Sequence, residues 1–176
     1  MNNYITYRGI IHFDPRNKTA KHEDQSSWKK IAMVLLDGEI CEYYSWFIER
    51  RYGLVLNKSL RNAHISFIND SVHDIKKGTG LINNEDVDFV WNNFKEKYNN
   101  KKINIVLNLD VRSDANHWWL NIPEEYRTEL HSIRQEIGLG RPFFGLHMSI
   151  GYANEKNLEH SVYIRNLCTK FGKEYL

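Results

Sequence analysis

The run Phe144-Gly-Leu-His-Met-Ser-Ile-Gly-Tyr152 decides how this chain is read, because an earlier run, Asn62-Ala-His-Ile-Ser-Phe-Ile68, repeats its centre. Each carries His, one apolar residue and Ser inside a short alternating apolar stretch of the kind that forms a strand. Strand side chains alternate faces, so His64 and Ser66 point one way, with Ile65 and Phe67 behind them. In the later run His147 and Ser149 share a face, and Met148, Ile150 and Tyr152 take the other. A His-x-Ser/Thr spacing arises roughly once by chance in a chain of this composition, so the pair gains weight only from context. Both copies lie in apolar alternating runs, and none of the other six histidines has Ser or Thr two places on. The plainer alternative is two ordinary strands whose polar faces happen to carry these residues.

Working outward, similar elements precede each run. Tyr4–Phe13 and Trp28–Leu36 read as strands, separated by a polar loop at Arg16–Ser27. Glu39–Tyr52 reads as a helix, with Ile40, Tyr44, Phe47 and Arg51 at helical spacing and Gly53 as its stop. Before the second run, Ile103–Val111 alternates cleanly, Arg112–Asn116 turns, and His117–Ile122 returns as its hairpin partner. Pro123 then opens a helix over Glu124–Ile137, with Tyr126, Leu130, Ile133 and Ile137 as its stripe and Gly138 as its end.

A helix follows each motif strand. Glu85–Tyr98 has Asn84 as a cap and an apolar stripe of Val87, Val90, Trp91, Phe94 and Tyr98. Asn154 starts the last helix, which carries Leu158, Val162, Leu167, Cys168 and Phe171 and stops at Gly172. Asp70–Asn84, with Lys76-Lys-Gly-Thr-Gly80 inside it, is a connection able to close over a ligand or simply a solvated loop. The order strand, strand, helix, motif strand, helix therefore occurs twice. It predicts one α+β domain over residues 1–176, two-lobed and pseudo-symmetric, with halves near 1–98 and 99–176 and interleaving left open. Two antiparallel sheets flanked by helices would hold the motif strands along a central cleft.

The totals bound the partners. A formal charge of +2 on 176 residues provides no broad basic field for a long nucleic acid, but a nucleotide or a short RNA end needs none. No apolar run approaches the roughly 20 residues of a membrane span. The first residues lack a signal-peptide core, so a cytoplasmic protein is expected. Cys41 and Cys168 form no metal or redox motif and read as reduced thiols. Nothing calls for a cofactor or an obligate protein partner. Asn and Lys are abundant, as in proteins of AT-rich genomes such as those of many viruses.

The paired His-x-Ser strands resemble the two signatures of the 2H phosphoesterase superfamily, which includes the LigT-like RNA cyclic phosphodiesterases. That family places one His-x-Thr/Ser motif in each half of a pseudo-symmetric domain. Both hydroxyl positions are Ser here, where Thr is commoner. The resemblance implies a hydrolase that cleaves phosphodiesters without a metal, with His64, Ser66, His147 and Ser149 as catalytic residues. It implies either a 2′,3′-cyclic phosphate or RNA-end substrate, or a cyclic oligonucleotide signal of the sort some viral relatives destroy in the host cytoplasm.

The chemistry suits those residue types. Phosphodiester cleavage needs one group to take a proton from the nucleophile and another to give one to the leaving oxygen. Histidine, with an ordinary pKa near 6.5, serves either role near neutrality. The two serine hydroxyls can donate to the non-bridging oxygens. Either histidine can be the base at this stage. Arg141 is a candidate phosphate contact; Trp119, Tyr152 and Tyr7 are candidate stacking rings, with core packing as the competing role of each. Trp118 and Trp119, adjacent on a strand, should divide between core and ligand side. A non-catalytic nucleotide- or RNA-binding module using the same cleft is the alternative. A metallohydrolase built on Asp86, Asp88, Asp110, Asp114 and His117 fits less well, since helix-end and turn roles account for these residues.

Overall fold

A computed structural model of the protein describes residues 3–14, 31–59, 63–69, 87–114, 116–142 and 145–153, without the side chains of residues 87–89. Among these residues the fold is α+β, with two antiparallel sheets of four strands each and three helices; the first sheet curls into a half-barrel. The elements in chain order are β1 (Tyr4–Phe13), β2 (Ile31–Leu35), α1 (Glu39–Tyr52), β3 (Asn57–Lys58), β4 (His64–Asn69), α2 (Val87–Tyr98), β5 (Lys102–Asn108), β6 (Arg112–Ser113), β7 (His117–Asn121), a 3-10 turn (Glu124–Tyr126), α3 (Thr128–Glu136) and β8 (His147–Tyr152). The expected loops at Arg16–Ser27 and Asp70–Asn84, the helix after Asn154, and Phe144 lie outside the described residues.

The first sheet runs β4-β2-β1-β5 and the second β3-β8-β7-β6. Each sheet draws strands from both sides of residue 98: β5 pairs with β1, and β3 pairs with β8. The hairpin expected between 103–111 and 117–122 does not form. Strand β5 stops at Asn108, whose side-chain oxygen accepts the Asp110 amide at 2.8 Å and turns the chain. The chain then crosses to the second sheet, where the two-residue β6 is the hairpin partner of β7.

One apolar core fills the space between the sheets and helices. It takes Ile11, Val34, Ile65 and Phe67 from the first sheet, Leu120, Met148 and Ile150 from the second, and Ile40, Ile48, Trp91 and Ile133 from the helices. Helix α1 has the predicted bounds and ends on Gly53 at φ 66°. Its buried stripe is Ile40, Tyr44 and Ile48, not the row through Phe47 and Arg51. Phe47 is half-buried, and Arg51 lies outside with its guanidinium 5.9 Å from the Phe47 ring.

The helix expected over 124–137 is two pieces. Arg127 donates its Nε to the Ile122 carbonyl at 2.7 Å and its amide back to Glu124, which closes a 3-10 turn before α3 begins. Tyr126 is left exposed by that break, whereas Leu130, Ile133 and Ile137 are buried as the periodicity predicts.

Strand β1 ends at Asp14, which adopts φ 46°. Its carboxylate accepts the Trp91 indole N–H at 2.9 Å and the Lys95 ammonium at 2.8 Å, fastening α2 across the strand end. We expect Asp14→Ala to cost about 2 kcal/mol, because it removes an acceptor from a buried indole and strains a left-handed backbone. Asp14→Asn keeps an amide acceptor and tolerates the backbone, so it is expected to cost less. Urea unfolding of the two variants checks that order.

Candidate active site

The two motif strands are built to one pattern. In the first sheet Leu35 faces His64 and Met33 faces Ser66; the register then slips, leaving Phe67 without a cross-strand partner before Ala32 faces Ile68. In the second sheet Asn121 faces His147 and Trp119 faces Ser149; the slip then leaves Ile150 without one before Trp118 faces Gly151. Each motif thus starts level with the last residue of its neighbour strand and ends on a β-bulge directly after Ser. A bulge bends the strand and resets its alternation. That is why Tyr152, expected on the core face with Met148 and Ile150, is instead 45% exposed.

The burial follows the same pattern in both strands. Ile65 and Phe67 are buried while His64 is half-buried and Ser66 exposed; Met148 and Ile150 are buried while His147 and Ser149 are half-buried. Each His–Ser pair therefore sits on the strand face turned away from the core. Strands β4 and β8 also approach each other across the sheets, with Cα atoms within 8 Å.

The helices that precede the motif strands pack on the opposite ones. Helix α1 leads to β4 but lies against β8, where the Cys41 thiol donates to the Ser149 carbonyl at 3.4 Å. Burial, helped by Glu42, pushes that thiol up to about 11, so it stays protonated. Helix α3 leads towards β8 but lies against β4, where Arg134 donates through a terminal nitrogen to the Phe67 carbonyl.

His147 is the better defined of the two imidazoles. Its Nδ1 lies 2.6 Å from the Gly145 carbonyl. A carbonyl only accepts, so Nδ1 carries the proton and Nε2 keeps its lone pair. The Trp119 ring stands edge-on to the imidazole, centroids 6.2 Å apart, and its indole N–H is held by Asn121 at 3.0 Å. Burial pulls the pKa of His147 below 6.5; the Gly145 hydrogen bond opposes this, and the His117 and Arg127 charges add to the lowering. His147 is therefore largely the neutral base at pH 7.

The remaining candidates fall in different places. Trp119 flanks His147, while its neighbour Trp118 is buried against the Tyr52 ring, so the adjacent tryptophans divide as alternation predicts. Arg141 is exposed and paired with Glu124 at 3.3 Å. Tyr7 lies on the face of β1 shared with Ile11 and packs against the core; its register partner is the buried Ile105. Burial and the Asp37 charge raise its phenol pKa. It thus stands on the opposite face of the first sheet from His64 and Ser66.

Asp114 accepts the amides of Asn116 and His117 at 3.2 and 2.8 Å, a turn role. Asp110 accepts the Asn3 side chain. Among the described residues no group of three or more His, Cys, Asp or Glu is placed to hold a metal.

Residues that sequence reasoning passed over are Asn121, Arg127 and Arg134. Asn121 was findable as the third residue of the Trp119-Leu-Asn run on the His147 face. Arg127 sits at the 3-10 break, bonded to Glu124 at 2.6 Å and close enough for its charge to act on His147. Nothing in a helical pattern separates Arg134 from a solvated arginine.

No family model, curated protein or solved structure matches this chain. Among the described residues no helix is long and apolar enough to cross a membrane.

Proposed function

We propose that this protein is a 2H-type phosphodiesterase that cleaves a nucleotide-sized phosphodiester by paired-histidine acid–base catalysis, without a metal. The observation that carries this reading is the approach of β4 and β8, each bearing its His–Ser pair on the face away from the core. The shared register and the bulge after each Ser support treating the two motif strand pairs as pseudo-symmetric halves around one cleft.

In this reading His147 is the general base. Its Nε2 takes a proton from the attacking water, or from a 2′-hydroxyl when an RNA linkage is cut. His64 gives a proton to the leaving oxygen from the other side of phosphorus. The hydroxyls of Ser66 and Ser149 donate to the non-bridging oxygens as charge builds there. Trp119, edge-on to His147, packs against a sugar or base of the substrate in this reading. The substrate is a 2′,3′-cyclic phosphate or RNA end, or a cyclic oligonucleotide signal. The second of these would make the protein an anti-defence enzyme of a virus, acting in host cytoplasm.

A screen of 2′,3′-cyclic nucleotides, short RNAs and cyclic dinucleotides in EDTA, with products identified by mass, tests the reading. Turnover in EDTA supports it. Binding without turnover favours a non-catalytic nucleotide-binding module instead.

The pH dependence follows from His147. Its proton must be off for catalysis, so the acid limb of kcat/KM, which reports the free protein, is expected below pH 6.5, the ordinary histidine value. A base whose pKa is depressed on folding binds more protons when unfolded. Stability therefore falls as pH drops below 6.5 and towards the folded value. His147→Gln should flatten that part of the stability curve. A rate that climbs steadily to about pH 10 contradicts paired histidine chemistry.

A further inference from the structure

The guanidinium of Arg134 is only 1% exposed, the one charged side chain in the core of the described residues. A buried charge is costly unless hydrogen-bonded in good geometry. Arg134 donates to two backbone carbonyls from different parts of the chain. Its Nε donates to Gly140 at 2.8 Å, and a terminal nitrogen donates to Phe67.

One of these carbonyls belongs to a motif strand and the other to the end of the helix that carries Arg134. Phe67 is the bulge residue directly after Ser66, and among the described residues β4 is an edge strand, paired with a sheet neighbour on one side. Gly140 lies just past the C-terminal end of α3. The planar fork of arginine can hold two acceptors in a fixed direction; a lysine, a point charge on a flexible stem, cannot.

We propose that Arg134 is a positioning residue: it ties the bulge behind Ser66 to the end of α3 and thereby sets where β4 presents His64 and Ser66. This rests on the phosphodiesterase reading for its consequence, but not for its geometry. Arg134 touches no substrate in this scheme and acts through the backbone of β4. Helix α3, which belongs to the second half by sequence, thus places the motif of the first half.

The test compares wild type with Arg134→Met and Arg134→Lys in the full chain. The ring ¹H and ¹⁵N shifts of His64 and His147 are read by NMR, alongside steady-state kinetics on whichever probe nucleotide wild type turns over. In a folded Arg134→Met protein the His64 ring signals are expected to move while the Trp119 indole signal stays. The rate constant kcat is expected to fall about tenfold or more with KM changed less than about twofold, the signature of misplaced groups and not of lost binding. Arg134→Lys should restore less than half of that loss.

A folded Arg134→Met protein with wild-type His64 signals overturns the proposal. So does failure of both variants to fold, which would assign Arg134 to stability alone. If wild type turns over none of the probes, the enzyme reading fails, yet the ring signals still decide whether Arg134 positions β4.

Discussion

His147→Ala is expected to lower turnover by about 10²–10⁴-fold, and His64→Ala by a similar factor, while each variant keeps the wild-type fold. Both side chains lie on strand faces away from the core, so truncating them removes little packing. On the proposed mechanism the loss is instead chemical. Without His147 no neutral imidazole takes the proton of the nucleophile; without His64 the leaving oxygen departs as an unprotonated anion. Because both act in one transition state, the double variant should be scarcely slower than either single one. Steady-state rates in EDTA, with circular dichroism to confirm folding, check all three proteins. A single variant that keeps a tenth of the wild-type rate would mean that the two histidines do not share a reaction.

The largest effect expected on stability comes from Gly9→Ala, in the middle of β1. A Cβ placed there would meet Val34 Cγ1 at 2.3 Å, Leu36 Cδ2 at 3.0 Å and the Leu35 carbonyl at 3.2 Å. Val34 is fully buried, so its methyl has nowhere easy to go. Forcing a methyl into packed space costs about 1–3 kcal/mol, and contact from three sides places this site at the upper end. The clash is specific enough for a double-mutant cycle. Val34→Ala alone opens a cavity, but combined with Gly9→Ala it makes room for the new methyl. The pair should be more stable than the sum of the two losses predicts, by about 1 kcal/mol or more. Strict additivity in urea unfolding would mean that β1 and β2 do not meet at this point.

Much of the fold was legible because periodicity is local. Helix α1 could be bounded by its helical spacing and by Gly53, and β1 could be bounded at Tyr4–Phe13. The errors have local causes too, but ones carried by hydrogen bonds and not by pattern. The Asn108 side chain ended a strand whose alternation ran on to Val111, and Arg127 broke a helix whose stripe ran unbroken through it. Bulges are the hardest case, since the slip after Ser149 moved Tyr152 to the opposite face with no change in hydrophobicity to announce it.

By itself the sequence determined how each His–Ser pair is presented, since two-residue alternation within a strand fixes a shared face whatever the strand pairs with. Only the tertiary structure decided that β4 lies near β8, that each motif strand is backed by the helix preceding the other, and that Arg134 is buried. Those outcomes depend on backbone groups, which are alike at every residue, and on apolar surfaces that many arrangements could cover. Which carbonyl meets which donor is settled only when the whole core closes.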